Sequence, residues 1–259
     1  MSVLEVDRIS VRFGGHLAVS DCALRVEGGR VSGLIGPNGA GKTTTFNAIC
    51  GVVQPSSGEV RLDGRNISGL GTHKRARLGI GRTFQRLEVF SSLTVRENIQ
   101  VGLEIRRSWS RRKAALPQYL DAGGDPEPQA EIDLIIERLD LGGLADELVG
   151  SLPTGHARLV ELGRALAARP SVLLLDEPAS GLDDAETDAF GDLLVTLAAN
   201  GLGILLVEHD VALVMRVCEH LSVLDFGQII ASGTPDEVRS NEAVLAAYLG
   251  TAPVDGGAA

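Results

Sequence analysis

The sequence predicts an α/β fold built on a predominantly parallel sheet, and three observations carry that expectation. A glycine-rich loop at 36–43 follows the apolar run Val31–Ile35 and opens a helix-compatible stretch, Lys42–Cys50. A second apolar run, at 172–175, ends in Asp176-Glu177. A third, at 204–207, ends in Glu208-His209-Asp210. Open α/β sheets bind their ligands outside the carboxyl ends of the strands, so such a sheet would bring these loop and polar groups together.

The elements follow in order. The first thirty residues alternate short β-like runs with Gly-Gly turns, Val11-Arg12-Phe13-Gly14-Gly15 and then Leu24-Arg25-Val26-Glu27-Gly28-Gly29. Between about 95 and 141 the character changes: Ile132, Ile135, Ile136 and Leu139 fall at helical spacing, with Asp133, Glu137 and Arg138 between them. Ahead of that helix, residues 122–128 read as a loop. Arg106, Arg107, Arg111, Arg112 and Lys113 form a local basic cluster, read as a solvated face or as a contact for a partner or lipid head groups. A further helix is expected from the segment at 152–156 to residue 169. One unit is expected over 1–250, with a flexible tail at 251–259.

Composition narrows the function. The chain has 259 residues and a formal net charge of −10, and its hydrophobic content is that of an ordinary globular protein. The acidic balance argues against a general affinity for nucleic acid. Taken alone it also argues against a polyanionic ligand. Three scattered cysteines, Cys22, Cys50 and Cys218, offer neither a disulfide framework nor zinc-ligand spacing. No apolar run reaches membrane-spanning length, and the first residues lack the blocks of a signal peptide, so a soluble intracellular chain is expected.

The loop overturns the expectation about polyanions. Gly36-Pro37-Asn38-Gly39-Ala40-Gly41-Lys42-Thr43 fits G-x-x-x-x-G-K-[ST] between a predicted strand and a predicted helix. Glycines let backbone N–H groups curl around phosphate oxygens, and the helix N-terminus adds a favourable dipole. Lys42, one of only three lysines in the chain, would reach the β- and γ-phosphates. Thr43 would offer its hydroxyl to Mg²⁺, and Thr44 joins the same nucleotide-binding set. Downstream, Asp176 at a buried strand end suits Mg²⁺, and Glu177 suits the general base that polarises an attacking water.

With these motifs in place the chain resembles the ATP-binding-cassette family over about residues 3–250. The resemblance implies a P-loop NTPase (RecA-like) core with an antiparallel β subdomain. It also implies an α-helical signature subdomain at about 92–165, with an insertion at about 104–130. Phe13 matches the aromatic that stacks on adenine. Gln85, in Arg82-Thr83-Phe84-Gln85, matches the glutamine that senses the γ-phosphate, ligates the metal and couples to membrane subunits. Ser180-Gly181-Leu182-Asp183 matches the D-loop, with Asp183 at the nucleotide, and His209 matches the switch histidine at the γ-phosphate. The family signature, Leu-Ser-Gly-Gly-Gln, is represented by Leu152-Pro153-Thr154-Gly155-His156. Gly155 survives, Pro153 offers neither hydroxyl nor N–H, and Thr154 stands in from one position later.

Within the family the chain is most similar to an ATPase subunit of branched-chain (hydrophobic) amino-acid importers, with the lipopolysaccharide-export ATPase as the alternative. A soluble repair or translation ATPase and a P-loop kinase fit less well. The resemblance implies ATP and Mg²⁺ as cofactors and hydrolysis coupled to transport. It implies head-to-tail closure with a second ATP-binding subunit; the altered signature favours a heterodimer over a homodimer. The remaining implied partners are permease subunits holding the chain at the cytoplasmic face of the membrane and, indirectly, an extracytoplasmic solute-binding protein. No nucleic-acid partner is implied.

Overall fold

The computed structural model describes residues 2–109 and 126–249. Arg111, Arg112, Lys113, most of the expected insertion and the expected tail lie outside the described residues. The first two strands, β1 (Val3–Phe13) and β2 (His16–Glu27), run much further than the short runs legible in the sequence. Register shifts between Val6 and Ile9 and between Ile9 and Val11 re-aim the strand, so Leu4, Val6, Ile9 and Val11 all face inward despite their uneven spacing. A glycine helix-breaker follows α1 (Lys42–Cys50), and then β4 (Ser57–Leu62) and β5 (Arg65–Asn66) complete an antiparallel sheet in the order β2-β1-β4-β5.

The second sheet carries the site. Its strands are β3 (Val31–Ile35), β6 (Ile80–Arg82), β7 (Val172–Asp176), β8 (Gly203–Val207), β9 (His220–Asp225) and β10 (Gln228–Gly233), in the order β10-β9-β3-β8-β7-β6. All neighbours are parallel except β10, which turns back against β9. Every residue of β3, β7 and β8 is buried, as expected for central strands covered on both faces. Register aligns Leu34 with Val207 and Asp176 with Val207, so β3, β7 and β8 finish side by side.

Alternate residues of those strands feed two cores. Leu173, Leu175, Ile204 and Leu206 face a helical layer of α3 (Val95–Trp109), α4 (Pro128–Arg138), α5 (Thr154–Ala167), α6 (Asp184–Ala199) and α7 (Val211–Val217). Val172, Leu174, Leu205 and Val207 face α1 and the antiparallel sheet. The short α2 (Thr72–Ala76) supplies Arg75, which is fully buried and donates to the carbonyls of Ala48 and Ile49 at 2.7 Å each, capping the last turn of α1. Two closing helices, α8 (Pro235–Arg239) and α9 (Glu242–Leu249), follow β10.

Two sequence expectations change. The signature helix stops at Ala167, because Arg169 takes a left-handed φ of 52° and turns into Glu131. Arg106 does not belong to a solvated basic face. Its guanidinium and that of Arg169 share the carboxylate of Glu131, which is 1 % exposed and joins α3, α4 and the end of α5. Burial opposes that negative charge, but the two arginines outweigh it and hold the carboxyl below its usual pKa.

Candidate functional site

The loop at 36–41 is shaped by positive φ at Gly36 (151°), Gly39 (81°) and Gly41 (106°). Gly36 has no alternative: a Cβ there would lie 1.9 Å from the carbonyl oxygen of Leu224. The loop is also pinned from outside, since Gly227 N–H donates to Ala40 O at 2.8 Å and Ser20 N–H to Gly227 O at 2.8 Å. Inside, Lys42 Nζ bends back to Gly36 O (2.6 Å) and Pro37 O (3.0 Å). Burial pulls the Lys42 pKa down, and the carboxylates of Glu177 and Asp176 partly offset it. Asn38, Gly39 and Thr43 are exposed, Pro37 and Thr44 half-buried.

Opposite the loop stand the acids. Asp176 ends β7 and is 5 % exposed; burial first, and then the neighbouring Glu177, push its pKa up. Glu177 sits at φ 49°, a strained conformation for a side-chain-bearing residue, fixed by its N–H on Val207 O at 2.8 Å. Its carboxylate receives Gln85 Nε2 at 3.0 Å and lies 4.0 Å from His209 Nδ1. Lys42, Asp176, Glu177 and His209 therefore converge at the strand ends, where a parallel sheet was expected to bring them, and Gln85 joins them.

The remaining expected residues fall elsewhere. Thr154 and Gly155, at the start of α5, gather with Gly181 and Glu186: a Cβ on Gly155 would strike Glu186 Oε1 at 2.4 Å, and one on Gly181 would meet Thr154 Cγ2 at 3.4 Å. Pro153 takes the N-cap position of α5 without a side-chain hydrogen bond. Asp183 closes a capping box with Glu186 at the start of α6, its Oδ1 accepting from Glu186 N–H at 2.8 Å. Phe13 ends β1, about half exposed.

Sequence reasoning missed three contributors. Glu208, quoted only as part of a polar strand end, is buried. It accepts from Ala179 N–H (2.8 Å) and His209 N–H (3.2 Å), tying the segment after Glu177 to the one bearing His209. Arg82 lies over the rings of Phe46 (5.1 Å) and Phe84 (4.3 Å). Arg158 donates to Gln85 O at 3.0 Å. The adjacency of Glu208 to His209, and the place of Arg82 in Arg82-Thr83-Phe84-Gln85, were the available signals; Arg158 gave none.

A glycine-rich loop between a buried parallel strand and a helix, facing an Asp-Glu pair at the end of the next strand but one, defines a P-loop ATPase. Residues 19–180 match the ABC transporter family, and residues 228–253 match the branched-chain amino acid ATP-binding cassette transporter description. The chain belongs to the ABC transporter family as an ATP-binding subunit. It is 39 % identical to the high-affinity branched-chain amino acid transport ATP-binding protein BraF of Pseudomonas aeruginosa, over 96 % of this chain and 98 % of that protein. It is 38 % identical, with the same coverage, to the lipopolysaccharide export system ATP-binding protein LptB of Haemophilus influenzae. Among solved structures it is similar to an ATP-binding cassette of an ABC transporter in its ADP conformation, with TM-score 0.81 and 30 % identity over 96 % of this chain and 99 % of that one.

Proposed function

We propose that the chain powers import of branched-chain or other hydrophobic amino acids, or similar small solutes, through separate permease subunits. The observation that carries this reading is the match of residues 228–253 to a family described as branched-chain amino acid ATP-binding cassette transporters. The similarity to a lipopolysaccharide-export protein supports a second reading, an ATPase subunit of lipopolysaccharide or lipid export.

In this proposal the backbone of 36–44 and Lys42 hold the ATP phosphates, and Phe13 stacks on the base. Asp176, buried beside the half-buried Glu177, is held above its usual pKa even with Arg82 and Lys42 near it, an environment that fits a divalent cation; Thr43, Asp176 and Gln85 offer it hard oxygen donors. Mg²⁺ bound there supplies charge neutralisation on the phosphoryl oxygens. Glu177 accepts the proton of the water that attacks the γ-phosphorus, while the bond to the β–γ bridging oxygen breaks and ADP leaves. Gln85 orients Glu177, and Lys42, His209 and the loop amides stabilise the charge that develops on the transferred group.

Thr154, Gly155 and Asp183 serve the nucleotide held by the opposite subunit. The altered signature, with proline at its second position, supports pairing with a different ATP-binding subunit. Phe84, Leu87, Phe90 and Leu148 are exposed apolar side chains on or near the Gln85 segment, a surface suited to permease contacts. No helix among the described residues is long and apolar enough to cross a membrane, and the chain in this reading sits at the cytoplasmic face, held by its permeases. An extracytoplasmic solute-binding protein delivers the solute. The decisive experiment is co-purification with membrane permeases from the native host, followed by ATP-driven uptake of labelled leucine into proteoliposomes. Uptake supports the importer; extraction of lipopolysaccharide without amino-acid uptake overturns it in favour of export.

A further inference from the structure

The segment bearing Gln85 has exposed side chains from Phe84 to Glu88, yet its backbone is gripped from beneath. Three residues spaced three apart along α5 do the gripping. Arg158 Nη1 donates to Phe84 O at 3.3 Å and Nη2 to Gln85 O at 3.0 Å. Glu161 Oε1 accepts from Glu88 N–H at 3.2 Å, and its Oε2 receives Arg158 Nη1 at 3.3 Å. Arg164 donates to Glu88 O and lies over the ring of Phe90 at 5.3 Å.

The side chains of Arg158 and Glu161 are only 6 % and 4 % exposed. A buried ion pair is a weak source of stability, because desolvation offsets the attraction. What this pair does supply is direction. A planar guanidinium reaching two successive carbonyls fixes the orientation of the peptide between them, which an ammonium or an apolar contact would not. That peptide belongs to Gln85, whose side chain then reaches Glu177 Oε2 at 3.0 Å.

We propose that Arg158, seated on Glu161, is a positioning residue that fixes Gln85 against Glu177 and passes movement of α5 to the carboxylate of Glu177. The inference rests on the roles proposed above for Gln85 and Glu177. Its consequence is a link between sites. Thr154, one helical turn before Arg158, belongs to the end of α5 that serves the opposite nucleotide, whereas Arg158 acts on the chain's own. Displacing that end of the helix therefore re-aims Gln85 without any contact between the two nucleotides.

The test uses the full chain and the variants Arg158→Lys, Gln85→Ala and their combination, with thermal melting as the control for folding. Arg158→Lys keeps the charge and loses the fork. It is expected to lower kcat about ten-fold while KM for ATP moves less than about two-fold. In the Gln85→Ala background the same change should cost less than about two-fold, because the residue acts through Gln85. Amide exchange across 84–90 should rise in Arg158→Lys. Effects that multiply in the double variant, or unchanged exchange across 84–90, overturn the inference. Full turnover in both Gln85→Ala and Glu177→Gln would instead overturn the reading of the site, and the catalytic part of this inference with it. If Arg158→Lys melts too low to assay, Glu161→Gln, which keeps the shape and removes the charge beneath Arg158, carries the same expectations.

Discussion

Asp176 shows how binding and stability oppose each other within a single side chain. Burial and Glu177 raise its folded pKa, so the ionised form is disfavoured in the nucleotide-free protein. For a group whose folded pKa is raised, the stability it contributes is present below the unfolded value and is lost as pH rises through the folded one. At neutral pH Asp176 is therefore destabilising in the empty site, a cost that the proposed cation would relieve. Asp176→Asn is expected to raise the melting temperature of the nucleotide-free chain, by about 2–4 °C for each kcal/mol relieved, and to abolish Mg²⁺-dependent turnover. Calorimetry beside an ATPase assay reads both; a lower melting temperature would show that the carboxylate stabilises the empty site. Asp176 itself was legible in the sequence, because a strand end facing a P-loop is a local pattern. The left-handed backbone of Glu177 beside it was not, since it depends on the Glu177 N–H reaching Val207 O on the adjoining strand β8.

Helix α5 and its neighbours separate what local pattern can convey from what it cannot. The spacing of Ile132, Ile135 and Ile136 announced α4, and the apolar runs announced β7 and β8, because periodicity is a property of neighbours in sequence. The roles of Arg75, Arg158 and Arg106 were invisible. Each bonds to groups 25 or more residues away, and an arginine in a polar stretch reads as solvated until the partner is placed. Pro153 leaves α5 without a side-chain cap, so Pro153→Ser is expected to stabilise the chain by about 0.5–2 kcal/mol in chemical denaturation. It should also raise hydrolysis at the nucleotide the signature serves. The Glu131 junction yields a pH prediction. Its carboxyl is held below the usual value, so its contribution is present above an ordinary glutamate pKa of about 4.3 and is lost as pH falls through the depressed one. Glu131→Ala removes the carboxylate shared by Arg106 and Arg169 and should cost about 3–5 kcal/mol at pH 7. The difference from the parent should shrink in acid, and a gap that stays constant down to pH 3 would contradict this origin.

The two cores on opposite faces of the six-stranded sheet give the molecule one rigid shelf, from which the P-loop, Glu177 and His209 all project. A net charge of −10 made a polyanion look unwelcome, but in the proposed site affinity would depend on loop amides, one lysine and a cation held by acids. Hydrolysis should accordingly gate assembly. Glu177→Gln is expected to retain ATP, lose at least about 10²-fold in turnover, and accumulate with a second ATP-binding subunit as a closed dimer in ATP-dependent sedimentation. A dimer that forms equally well without ATP would break that link. The hairpin between β9 and β10 imposes an order in time as well as in space. The P-loop is encoded near the start of the chain, yet Gly36 packs on Leu224, Ala40 accepts from Gly227, and β3 lies between β8 and β9. A nascent polypeptide thus exposes its nucleotide motif on the ribosome long before residue 227 emerges to shape it. A chain stopped before residue 224 lacks both contacts and is expected to bind nucleotide poorly, whatever its P-loop sequence.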